Sequence, residues 1–216
     1  MTVLPFRARS DWEAALPAVR DHVARAGLLA YPTETVYGLG SRARRDDVAA
    51  LTTLKGRGPG KPFLMLVSGR GMAEAAGLQF GRAAHALSEA FWPGPLTLIL
   101  PGGGRLPDTL RGPEGGIAVR STSHEGMAHL IARLGEPLTS TSANRPGGPT
   151  APGVGAILED FGAAVEAGTL LVLDGGVLGN VPPSTIVDCT GPVPRLVREG
   201  ALPRAELHAR AGRFAP

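Results

Sequence analysis

Three cations crowd one seven-residue stretch, Lys55-Gly56-Arg57-Gly58-Pro59-Gly60-Lys61. Glycines let a backbone approach a ligand closely, and alternating cations converge on a polyanion such as a nucleotide triphosphate. Of 22 basic residues, 20 are arginine and two are lysine, and both lysines lie here. An ammonium and a guanidinium are not interchangeable at a tight anion site, so their placement points to a specific need. The competing reading is a solvated turn. A second candidate is Tyr31-Pro32-Thr33-Glu34-Thr35-Val36-Tyr37-Gly38-Leu39-Gly40. It sets hydroxyls and a carboxylate between a strand and a Gly-Leu-Gly turn, where they can meet a small polar ligand. The alternative is a packed turn whose glycines take positive φ. A third is Thr139-Ser140-Thr141-Ser142-Ala143-Asn144. Buried hydroxyls need partners, so this is either a ligand-facing strand end or a local cap or hydroxyl turn. Pro183-Ser184-Thr185 and Arg198-Glu199-Gly200 are weaker signals of the same kind.

Other chemistries are disfavoured. The cationic loop lacks the Walker A order, and no G-x-G-x-x-G fingerprint follows a strand. The five histidines form no H-x-x-x-H or H-E-x-x-H pattern, which argues against a protein-held catalytic metal. No G-x-S-x-G nucleophile elbow is present. Cys189, the one cysteine, sits in an apolar segment and reads as core. It also leaves no internal disulfide, so a reducing, cytoplasmic setting is expected. His124 and His129 read as helix-surface residues. Aromatics are 5% of the chain, too few for a base-stacking platform on single-stranded nucleic acid.

The elements that must position these residues follow from periodicity and punctuation. Ser10-Asp11-Trp12-Glu13 has the form of a capping box opening a helix to about Arg25. Further helices are expected from Asp46 to Leu54, Arg82 to Phe91, Glu125 to Leu134, Val154 to Phe161 and Pro203 to Arg210. Strands are expected at Leu28 to Tyr31, Phe63 to Val67, Leu96 to Leu100, Ile117 to Arg120, Leu138 to Thr141, Leu170 to Leu173, Thr185 to Asp188 and Arg195 to Val197. Lys55 to Pro62 reads as loop. Strands and helices interleave without strict alternation. The expected fold is therefore mixed α/β (α+β), a twisted mixed sheet flanked by helices. The 216 residues are 43% hydrophobic, enough for a single domain over residues 1–216 with its own core. Gly and Pro number 31 and 20, but they punctuate apolar runs rather than form tracts. No apolar run reaches the ~18 residues of a membrane span, and the N-terminus has no signal-peptide core. The net charge of +3 is mild.

Taken together, the segments resemble the YrdC/Sua5 family, the L-threonylcarbamoyladenylate synthases. The anchors are Tyr31 to Gly40, Lys55-Gly56-Arg57 with Lys61-Pro62, Trp92-Pro93-Gly94-Pro95-Leu96-Thr97, Val119-Arg120, Ser142-Ala143-Asn144, Pro183 to Asp188 and Arg198-Glu199-Gly200. They stand in the family's order and span about residues 13 to 200. The resemblance implies a YrdC-like fold and the reaction of L-threonine, bicarbonate and ATP to L-threonylcarbamoyl-AMP and pyrophosphate. A downstream threonylcarbamoyl transferase complex would use the product to modify adenosine 37 of tRNA. The resemblance also assigns roles. Lys55 and Arg57 are the catalytic cations. Arg57, Lys61, Ser142, Asn144, Thr150 and Arg198 bind ATP. Thr33, Thr35, Arg120, Ser140 and Ser184 bind threonine, with the choice between Thr33 and Thr35 open. Mg²⁺ would enter with ATP, held mainly by phosphates.

The sequence also departs from the family pattern. Gly58 stands where many relatives have proline. Leu64-Met65-Leu66-Val67 lacks the histidine of long-form members, and Thr122 replaces a common proline. The chain resembles the short form, without the extra C-terminal domain. Two other readings remain: a related protein handling a carbamoyl adenylate, as in hydrogenase-maturation carbamoyltransferases, and a module binding double-stranded RNA through a basic face.

Overall fold

Short apolar runs bounded by proline and glycine become strands, and longer runs with a helical repeat become helices. The computed structural model of the chain describes residues 3–58, 61–104, 106–179 and 181–215. The strands are β1 (Val3–Pro5), β2 (Leu28–Tyr31), β3 (Gly38–Gly40), β4 (Leu64–Val67), β5 (Leu96–Leu100), β6 (Ile117–Ser121), β7 (Leu138–Ser142), β8 (Leu170–Asp174), β9 (Thr185–Asp188) and β10 (Arg195–Arg198). The helices are α1 (Arg9–Ala24), α2 (Arg45–Lys55), α3 (Arg70–Ala75), α4 (Arg82–Phe91), α5 (Glu125–Leu134), α6 (Val154–Glu166) and α7 (Arg204–Ala211). The strands form one mixed ten-stranded sheet in the order β1-β8-β2-β3-β7-β4-β6-β5-β9-β10. The mixed sheet with flanking helices agrees with the fold class expected from the sequence.

Several local expectations need correction. Ser10 does not cap α1. The helix starts one residue earlier, and the Asp11 carboxylate accepts the backbone N–H groups of Arg7 and Ala8, both at 2.9 Å. Gly38-Leu39-Gly40 is not a turn but a central strand, antiparallel to β2 and β7. Neither Gly38 nor Gly40 has positive φ. They are small because Tyr31 lies across the strand. A Cβ on Gly40 would stand 2.6 Å from the Tyr31 hydroxyl oxygen and in hard collision with the Thr139 carbonyl. Lys55 is the last residue of α2 rather than part of a loop. Helix α6 runs on past Phe161, which has non-helical backbone angles within it. The short elements β1 and α3 and the 3₁₀ turn Asp108–Leu110 carry too few periodic residues to read from sequence. His124 is the partly buried N-cap of α5 rather than a surface residue, its Nδ1 accepting from the Met127 N–H at 3.3 Å.

The sheet separates two buried clusters. Met65, Leu98, Val119 and Val187 belong to the larger one, with Leu51 of α2, Leu87 of α4 and Ile157 of α6. Leu66 and Leu138 belong to the other, under Leu16 and Val19 of α1 and Leu130 and Ile131 of α5. Successive strand residues point to opposite faces. Leu64 therefore shares a face with Leu66, and Ser140 and Ser142 share one with Leu138. Along β4 and β7 that face begins under helices α1 and α5 and ends uncovered. The uncovered part is where a ligand can reach the sheet. Among the described residues no helix is long and apolar enough to cross a membrane.

The packing of Tyr31 on β3 makes a direct prediction. Gly40→Ala should lower stability by about 1–3 kcal/mol through overpacking. Gly162→Ala, inside α6 with open space around a built Cβ, should be neutral or gain up to about 1 kcal/mol. Urea denaturation midpoints check both.

Candidate functional site

The uncovered face forms the floor of a cavity of about 660 Å³. Alternation selects its residues: Thr97 and Ile99 of β5, Ala118 and Arg120 of β6, Ser140 and Ser142 of β7, and Ile186 of β9. Ladder pairing sets them side by side, with Ile99 opposite Ala118 and Thr97 opposite Ile186. The segment joining β2 to β3 supplies Thr33, Thr35 and Val36. The loop before β9 supplies Pro183 and Ser184, and Arg198 enters from β10. Arg57, Arg120 and Arg198 all line this cavity, and among the described residues no carboxylate does. Its interior therefore carries a positive potential suited to anions.

A second, smaller cavity of about 220 Å³ adjoins the first. Lys55, Lys61, Asn144 and Gly147 line it, and it shares Arg57 and Ser142 with the larger one. Its geometry starts at the end of α2. Gly56 takes the left-handed conformation at φ 63°, as helix ends favour, and turns the chain sharply. That turn separates two adjacent cations. Lys55 is 5% exposed, and its ammonium donates to the Ser142 carbonyl at 2.7 Å, to Asn144 Oδ1 at 2.6 Å and to the Asn144 carbonyl. Three acceptors use all three of its donors. Burial, with the like charge of Arg57, pulls its pKa down to about 8, and Asp160 opposes that shift. Arg57 folds the other way. It donates to the Lys61 carbonyl at 2.7 Å, the Pro62 carbonyl at 2.9 Å and Thr141 Oγ1 at 3.0 Å. Its guanidinium also lies over the Phe63 ring at 4.8 Å. Burial lowers its pKa from the ordinary arginine value.

Asn144 closes this corner. Its Oδ1 accepts from the Ser142 hydroxyl at 2.6 Å, and its Nδ2 donates to the Gly148 carbonyl at 2.6 Å. The hydroxyl-rich run is thus a held strand end, with Ser140 in the large cavity, Asn144 in the small one, and Thr141 and Ser142 bordering both. Thr150 lies exposed at the rim.

On the far side, Thr33 and Thr35 both line the large cavity but do different work. Thr33 Oγ1 donates to the Val36 carbonyl at 2.7 Å and accepts the N–H groups of Thr35 and Val36 at 3.2 Å. It ties up its own turn. Thr35 Oγ1 accepts from Arg120 Nη1 at 3.2 Å, which joins that turn to the sheet floor. Arg120 is 4% exposed, and among the described residues its Nε has no hydrogen-bond partner. Ser184 Oγ lies 2.9 Å from Thr97 Oγ1, and the Ser184 carbonyl accepts from Arg198 Nη2 at 2.7 Å. Burial, then the charge of Arg120, lowers the Arg198 pKa.

Every residue to which the resemblance assigns a catalytic or binding role therefore borders one of the two adjoining cavities. Sequence reasoning missed Thr97 and Thr141, which partner Ser184 and Arg57, and the floor residues Leu64, Ile99, Ala118 and Ile186. The period of two along the strands was the available signal. The Leu66 side chain packs in the core beneath α5 and does not line the cavity. Cys189 is buried, and burial pushes its thiol up to about 12, as suits a core residue. Among the described residues no group of three or more His, Cys, Asp or Glu is placed to hold a metal.

Residues 22–200 match the family model Sua5/YciO/YrdC, described as "Telomere recombination". A threonylcarbamoyl-AMP synthase of Pyrococcus abyssi is 32% identical over 203 residues, which is 94% of this chain and 58% of that protein. This chain thus spans under two thirds of that relative. One from Chromohalobacter salexigens is 41% identical over 167 residues, 76% of this chain and 86% of that protein. The structure of P. abyssi Sua5 complexed with L-threonine is similar at a TM-score of 0.89 and 31% identity, covering 99% of this chain and 62% of that one. E. coli YciO shares the fold at a TM-score of 0.75 and 24% identity, covering 92% of this chain and 94% of that one.

The buried ammonium gives a pH-dependent signature. Its folded pKa is below the ordinary 10.5, so between about pH 8 and that value the unfolded chain holds the extra proton. Stability therefore gains a component that rises with pH in that window. In Lys55→Met this component should vanish, and the stranded acceptors should cost about 1–3 kcal/mol each. Urea midpoints of both proteins, compared from about pH 7 to about pH 10, measure the difference in slope.

Proposed function

The chain belongs to the Sua5/YciO/YrdC family, and from that membership and the paired cavities we propose that it is a threonylcarbamoyl-AMP synthase. One observation carries the proposal. A cavity lined by three arginines and several hydroxyls, free of carboxylates, opens beside a pocket flanked by two lysines. A small amino acid and a triphosphate need such adjacent sites.

In this reading the buried Arg120 pairs with the carboxylate of threonine, a charge-assisted contact with geometric specificity. Thr35, Ser140 and Ser184 offer partners for the remaining polar groups. The threonine amine attacks bicarbonate, water leaves, and a carbamate forms. A carbamate oxygen then attacks the α-phosphorus of ATP. The bond from that phosphorus to the bridging oxygen breaks, and pyrophosphate departs. Every species on this path is anionic, so the work of the protein is positioning and charge stabilisation. Arg57 stands between the cavities and meets the charge that shifts onto the leaving group. Lys61 and Arg198 flank the nucleotide.

Lys55 takes a different part from a free phosphate ligand. Its three donors already hold Ser142 and Asn144 in place. It sets the shape and charge of the phosphate corner, and any phosphate contact exchanges one of these bonds. Among the described residues no carboxylate lines the cavity, so Mg²⁺ brought with ATP would be held mainly by phosphate and water oxygens and would neutralise phosphate charge. The product would pass to a transferase acting on tRNA, in a cytoplasmic setting.

Pyrophosphate release from ATP and Mg²⁺ tests the proposal in four mixtures: complete, without threonine, without bicarbonate, and with serine for threonine. Release requiring both threonine and bicarbonate is expected. Release independent of threonine overturns the reading. Arg57→Ala should lower kcat by about 10²-fold, the scale for losing one transition-state donor. Arg120→Gln should raise KM for threonine and leave KM for ATP in place. Binding of double-stranded RNA that falls steeply with salt and ignores threonine would favour the RNA-binding alternative.

A further inference from the structure

Behind Arg120, outside the cavity wall, lies a small polar cluster. The Glu34 carboxylate comes from the same turn as Thr33 and Thr35, yet Glu34 does not line the cavity as they do. Its Oε2 accepts from the Thr122 hydroxyl, and its Oε1 stands 3.8 Å from Arg120 Nη1. The Thr122 hydroxyl in turn accepts the His124 N–H at 3.2 Å. Arg120 and Thr122 are 4% and 0% exposed. Among the described residues, two buried atoms here lack hydrogen-bond partners, Glu34 Oε1 and Arg120 Nε. A carboxylate and a guanidinium this close ordinarily close into a two-point pair. Here the carboxylate is held short of one.

Resting on the proposed role of Arg120, we infer that Thr122 and Glu34 are positioning residues that keep Arg120 charged but available to the substrate carboxylate. Thr122 anchors Glu34 through one oxygen, which keeps the other 3.8 Å from Arg120 Nη1, short of a hydrogen bond. The guanidinium keeps a nearby counter-charge that stabilises it in the sheet, while Arg120 still lines the cavity. A valine at Thr122 fills the same space but releases Glu34. The freed carboxylate then competes with threonine for Arg120. Thr122 thereby sets affinity for the amino acid without touching it.

The test measures threonine binding by calorimetry and pyrophosphate release in parallel. It uses the full chain and Thr122→Val, Thr122→Ser, Glu34→Gln and Thr122→Val/Glu34→Gln. Thr122→Val should weaken threonine about tenfold, the scale of one charge-assisted hydrogen bond, with KM for ATP unchanged. Thr122→Ser should keep most of the affinity. The double variant should recover to within about threefold of the starting protein, because an uncharged amide cannot replace the substrate carboxylate. A purely structural role predicts no such recovery. Thr122→Val with unaltered threonine affinity, equal losses for threonine and ATP, or no recovery in the double variant each overturn the inference. A starting protein that binds no threonine overturns the proposed function together with it.

Discussion

The buried ammonium of Lys55 is the contact on which the site depends. It joins the end of α2 to the end of β7 through three oxygens of Ser142 and Asn144. Those two residues shape the corner where both cavities meet. A charge this buried is stable only when its donors are satisfied, so the strand end must hold its position. Asn144 is fixed in turn by Ser142 and Gly148. Arg57 leaves the same helix end in the opposite direction and braces the outer wall. One left-handed glycine thus separates a cation that organises the site from a cation that faces it.

The second constraint is the incomplete covering of one sheet face. Helices α1 and α5 bury Leu66 and Leu138, and the face continues past them as Leu64, Ser140 and Ser142. A strand whose one face passes from Leu138 to Ser140 and Ser142 can therefore serve core and site in one pass. Central placement gives the polar floor residues rigid backbones. Catalysis by positioning needs this, since small misplacements of reacting groups are costly.

The cavity also sorts its charges by depth. Arg120 lies deep, with Glu34 behind it, and Arg198 stands at the outer strand with backbone carbonyl partners. Arg57 lies between the two compartments. The absence of carboxylates from the wall keeps the positive potential intact. Glu34, the acidic group beside Arg120, lies outside the lining and is anchored by Thr122. The threonine that departs from the usual family pattern is thus an active part of the arrangement.

The sequence by itself determined most elements and the chemistry. Hydrophobic period and proline or glycine punctuation located α4, α5, β2, β5 and β9 at their observed bounds, because these signals are local. The paired lysines and the hydroxyl runs marked the segments that meet at the site. Tertiary structure alone decided which donors are free. The cationic stretch marks Lys55, but its three partners, 87 and 89 positions away, appear only in the folded chain. The glycines of β3 read as turn residues because the Tyr31 ring that demands them is placed by strand pairing, not by local order. The roles of Glu34 and Thr122 were equally hidden, since burial and long-range hydrogen bonds arise only when separate strands are brought together.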